Sequence, residues 1–179
     1  ECIFKDGVLR VEEMNGWSSF DGFEKFLQSD GPWIAGMDFP FGQPRKLIEN
    51  LPWPHSWKGY VGEVAKIEKD EFEQLLKDYK AMRLDGDKEH KRVTDEKAKS
   101  ISPMKVVGPP PVGKMFFQGA PRLLKSKASV LPCFPREDSR IVVEAYPKRV
   151  ALRWTDKEAY KSDNKKKQTA EHKDIRQLI

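Results

Sequence analysis

The chain has 179 residues, 38% of them hydrophobic and 34% charged, and carries a formal net charge of +5. That length favours one domain with room for an insertion, and the hydrophobic share suffices for one core. No apolar run approaches the roughly 18 residues of a membrane helix, so no membrane partner is expected, and the mild positive charge permits nucleic acid as a partner without demanding it.

Two cysteines, Cys2 and Cys133, cannot make a disulfide framework and point to a reducing compartment. No signal peptide is visible, and a cytoplasmic location is expected. The sequence begins inside a strand pattern at Glu1 and stops inside a helical one at Ile179, which suggests that both ends are trimmed.

Asp6-Gly7 between two apolar runs predicts a hairpin of Cys2–Phe4 with Val8–Val11. Phe20, Phe23, Phe26 and Leu27 then recur at helical spacing, with Ser18 or Ser19 as cap and Gly31-Pro32 as stop. Trp33–Asp38 is a buried strand that ends in an acid and meets a Phe-Pro turn at once. Residues 45–105 read as a helical insertion or cap. Within it Val64, Ile67, Leu75, Tyr79 and Met82 mark an amphipathic helix, while the Lys-rich stretch from Lys88 to Lys99 has little to bury. Three prolines lead into a further apolar helical stretch, and Arg140–Tyr146 is a second strand that delivers an acid, Glu144, just before Pro147. Ala151–Tyr160 and Thr169–Ile179 close the chain as helical pieces. The order is that of an α/β domain with a mixed sheet, in which the hairpin, Trp33–Asp38 and Arg140–Tyr146 are expected to lie together.

A carboxylate at the end of a buried strand is costly unless something offsets it. Two such acids suggest a shared hard cation, with Asp38 and Glu144 as ligands of Mg²⁺ or Mn²⁺. The plain alternative is that Asp38 caps a turn and Glu144 pairs with Arg140 or Lys148. In the Lys-rich stretch, Thr94 or Asp95 is placed to cap a short helix. Lysines there, and Lys165 to Lys167 near the end of the chain, are candidates to meet phosphates. His55, His90 and His172 lack zinc spacing. Phosphate-loop, dinucleotide-loop and nucleophile-elbow motifs are all missing.

Together these segments resemble a known family. "GMDFPFGQP" (36–44), "RVTD" at Arg92–Asp95, "VEAYP" at Val143–Pro147 and the basic stretch from Lys166 to Thr169 are similar, in order and spacing, to motifs of the domain-of-unknown-function family 429. That family is regarded as predicted nucleases of ribonuclease-H-like fold. The resemblance implies a five-stranded mixed sheet with flanking helices, the whole of 1–179 as one such domain and 45–105 as its insertion. It also implies a further acid on a first strand, which this sequence does not show ahead of Cys2. The implied activity is metal-dependent phosphodiester hydrolysis. Asp38, Glu144 and Asp95 would be catalytic, with Asp95 a third ligand or a positioner, and Arg92, Lys166 and Arg176 would contact substrate. The contrasting expectation is a non-catalytic binding or scaffold module that retains the fold.

Overall fold

A computed structural model describes residues 1–155, 162 and 165–178. They form two compact units, Glu1–Gly31 and Pro32–Ile179. In the first, β1 (Cys2–Lys5) and β2 (Val8–Val11) pair antiparallel, with Phe4 opposite Leu9. Asp6 and Gly7 have φ of 52° and 75°. Both central residues of this tight turn need positive φ, which glycine adopts freely and aspartate tolerates. Helix α1 (Phe20–Gln28) starts at Ser19, whose hydroxyl oxygen accepts the Asp21 N–H at 3.3 Å.

The second unit holds a three-stranded sheet in the order β3 (Trp33–Met37), β5 (Arg140–Glu144), β4 (Ser129–Leu131). Both pairings are parallel, and Met37 lies opposite Glu144. Met37, Val130 and Val142 are buried, but β3 is not the buried strand its apolar run predicts: Ile34 is 73% exposed and only Met37 of its five residues is buried. Two further expectations are corrected here. The hairpin is a sheet of its own rather than part of the β3 sheet, and the β3 sheet is parallel rather than mixed. A turn sequence fixes the partner inside a hairpin but carries nothing about what its outer edges meet.

The block from 45 to 105 is helical and lies outside the sheet, as its patterning predicts. It comprises α2 (Arg45–Asn50), α3 (Trp57–Val64), α4 (Lys69–Ala81) and α5 (Val93–Ala98). It is also core: α3 and α4 pack on α6 (Val112–Ser126), with the Phe72 and Phe116 rings 6.1 Å apart. The buried stripe of α4 is Phe72, Leu76 and Tyr79. Leu75 is only half-buried and Met82 exposed, because the chain breaks at residues 65–68 and resets the helical phase. The Lys-rich stretch buries both His90 and Asp95, more than its composition suggests.

After β5 come α7 (Pro147–Ala151), a 3-10 turn at Lys165–Lys167 and α8 (Ala170–Leu178). The helical reading of Ala151–Tyr160 meets only the end of α7; its positions 156–160 lie outside the described residues. Among the described residues no helix is long and apolar enough to cross a membrane.

Candidate functional site

Parallel pairing brings the C-terminal ends of β3 and β5 to one edge, where open α/β sheets hold their ligands. The Ala145 N–H donates to the Met37 carbonyl at 2.9 Å, closing the ladder. Asp38 is the first residue beyond β3, and Glu144 is the last of β5. The chain then turns through Phe39-Pro40, and the Phe41 N–H donates to Glu144 Oε2 at 2.9 Å. The sharp turn after Asp38 therefore fastens one strand end to the acid of the next.

These strand ends, α5 and the start of α6 enclose a cleft of about 280 Å³. Its polar side carries Asp38, Arg92, Asp95, Ser100 and Glu144. Its other walls are Phe39, Ile101, Val112, Met115 and Tyr146.

Arg92 clasps two carboxylates. Its Nε and Nη2 donate to Asp95 Oδ2 and Oδ1 at 2.9 and 2.7 Å. Its Nη1 and Nη2 donate to Glu144 Oε2 and Oε1, both at 2.7 Å. Such two-point charged bonds are the strong, directional kind. Burial alone would push the Arg92 guanidinium down, yet hydrogen bonds to Asp95 and Glu144 hold it above its ordinary range. Burial likewise pushes the Asp95 carboxyl up, and Arg92 with Ser100 outweighs that and holds it below the usual value. Ser100 Oγ donates to Asp95 Oδ1 at 3.0 Å, so the whole of α5 is fixed to the end of β5.

Asp95 also accepts the Arg92 backbone N–H at 2.9 Å. It therefore sits in the first turn of α5 and ties back to the N-cap, which is Arg92 rather than Thr94 or Asp95. Cys133, close enough to Glu144 and Arg92 to feel their charges, has its thiol pushed up by burial. A thiol so shifted is a poor nucleophile.

The expected site residues divide into three groups. Asp38, Asp95, Glu144 and Arg92 come together in one cleft. Asp38 is exposed and makes no hydrogen bond or ion pair with the described residues. Arg92, expected to meet phosphate, gives four of its five N–H donors to two carboxylates, one of which is Asp95. Lys166, in the 3-10 turn, and Arg176, on α8, do not line the cleft. Glu144 pairs with Arg92 rather than with Arg140 or Lys148, and Arg140 pairs with Asp138 at 2.7 Å. Sequence reading missed Ser100, Ile101, Met115 and Tyr146 as walls. None carries a chemical signature, although Tyr146 sits within the strand-end motif itself.

Among the described residues, no three His, Cys, Asp or Glu side chains are grouped to hold a metal by themselves. The carboxylate oxygens left over that could hold a hard cation are few. Both Asp38 oxygens are uncommitted, and Glu144 Oε1 accepts one hydrogen bond and keeps a lone pair. Oε2 accepts two, and Asp95 is fully engaged. Mg²⁺ is commonly held by one or two carboxylates with waters completing its shell.

Comparison with known proteins returns no match, whether to family models, curated proteins or solved structures.

Proposed function

We propose that the cleft is the active site of a metal-dependent phosphodiester hydrolase acting on nucleic acid, built on a ribonuclease-H-like plan and related to the domain-of-unknown-function family 429. One observation carries the reading. Three carboxylates share a cleft at the strand ends with a single guanidinium, four of whose five N–H donors are already given to two of them. A phosphate cannot enter that surplus of negative charge unless a cation offsets it.

Asp38 and Glu144 Oε1 would hold that cation, which when bound supplies the positive charge that draws in and polarises a phosphate oxygen. Asp38 accepts a hydrogen bond from the attacking water and orients it. Arg92 keeps Glu144 aimed by two bonds, and the Phe41 N–H fixes the same carboxylate from the other side. The apolar walls limit the water that reaches the reacting atoms.

The contrasting reading, a binding module without catalysis, draws on the same clasp, since Arg92 already pairs with two of the three acids. Thermal unfolding separates the two. Mn²⁺ at a hundred times its dissociation constant should stabilise the chain by about 2.7 kcal/mol, and Asp38→Asn should remove that gain. No shift with Mn²⁺, or the same shift in Asp38→Asn, would leave the binding module.

A further inference from the structure

The cleft has a second character that its carboxylates do not explain. Aliphatic side chains line it too, of which Ile101 and Met115 keep 39% and 37% of their surface in water. Two aromatic rings, Phe39 and Tyr146, also line it. Phe39 lies 5.3 Å from Phe41, ring centre to ring centre, and so is held by a residue of the core. A volume of about 280 Å³ is at the small end for ligand pockets. It admits one ring-sized group, such as a single unpaired base.

The segments flanking the cleft carry cations that the clasp does not use. Lys91, Lys97 and Lys99 belong to the α5 segment, and Lys148 and Arg149 to α7. None of the five pairs with a carboxylate among the described residues. All but the half-buried Lys148 are exposed. Aromatic rings together with unpaired cations are how proteins hold single strands: bases stack and phosphates follow the charge.

We infer that the substrate of this cleft is single-stranded nucleic acid, taken one unpaired nucleotide at a time. The base seats against Tyr146, Phe39 and the Ile101–Met115 wall, and the backbone runs between α5 and α7. The inference rests on the hydrolase reading for what happens to the phosphodiester, but it specifies the substrate class independently.

The test is fluorescence anisotropy of a labelled oligothymidylate 12-mer, its RNA counterpart and a 12-base-pair duplex, with Mn²⁺ present. The single strands should bind about tenfold tighter than the duplex or better. Lys91→Gln with Lys97→Gln should make the salt dependence of single-strand binding shallower by about 1.4 in log–log slope. Ile101→Asp and Tyr146→Ala should each weaken it about tenfold, with unfolding temperature followed for every variant. Duplex binding as tight as single-strand binding, no binding of any oligonucleotide, or full single-strand affinity in folded Ile101→Asp and Tyr146→Ala would each overturn the inference. Hydrolysis of bis(4-nitrophenyl) phosphate, which needs no base, reports on the hydrolase reading separately. Hydrolysis without strand preference removes this inference alone, and strand preference without hydrolysis removes the catalytic reading alone.

Discussion

At the scale of single residues, the clasp makes a sharp stability statement. A buried ion pair gives back in attraction little more than it cost in lost hydration, but removing one partner strands the other. Asp95 keeps only 4% of its side chain in water and Glu144 31%, so the penalty falls mainly through Asp95. Arg92→Ala should therefore destabilise the fold by about 3 kcal/mol, read from urea unfolding. Arg92→Lys should recover only part of this, because one ammonium cannot serve two forks lying on different edges of a guanidinium. Asp38→Asn should leave stability unchanged without metal, since Asp38 makes no bond to lose. The places of Asp38 and Glu144 at strand ends were legible in the sequence because each acid closes an apolar run. The grip of Arg92 on both carboxylates was not, since residues 92 and 144 meet only through the tertiary fold.

At the scale of elements, α6 sets the shape of the cleft. Gly119 is buried, and a Cβ there would lie 2.2 Å from the Phe39 ring. Alanine would gain about 1 kcal/mol of helix propensity, but the overpacking should cost more, about 1–3 kcal/mol. Gly119→Ala is expected to be less stable on balance and to displace Phe39, weakening oligonucleotide binding in the anisotropy assay. Strands β3 and β5, the hairpin turn and the capped α1 were readable because run length, Asp-Gly and a serine cap are local signals. Strand β4 was not: its Ser129–Leu131 is too short to show a period. Helices α2 and α3 were obscured by Pro52 and Pro54 between them, which read as a broken loop. The hairpin was wrongly joined to the β3 sheet because strand pairing beyond a turn depends on packing that no local pattern records.

At the scale of the whole molecule, stability should depend on pH in two steps. Burial holds the His90 imidazole below its ordinary 6.5, between the Tyr79 hydroxyl at 2.8 Å and Asp87 at 3.7 Å, with Lys46 and Arg83 nearby. The unfolded chain therefore binds that proton more readily. Stability is full above pH 6.5 and falls as pH drops from there towards the folded value. A second loss follows below about pH 3.8, where Asp95, held low against its desolvation by Arg92, takes up a proton. Asp87, held at about 2 by Lys46 and Arg83, and Asp138, held at about 2 by Arg140, add to the acid limb. His90→Gln should flatten the first step and leave the second, as urea unfolding across pH 3–8 would show. The proposed hydrolytic site joins all three scales: the strand-end acids, the clasp and the walls. Its most direct test is the rate of bis(4-nitrophenyl) phosphate hydrolysis with Mn²⁺, in the wild-type chain and in Asp38→Asn at equal folded fraction. Measurable turnover that falls about 100-fold or more in Asp38→Asn is the predicted result; no turnover in the wild type, or an equal rate in the variant, would contradict it.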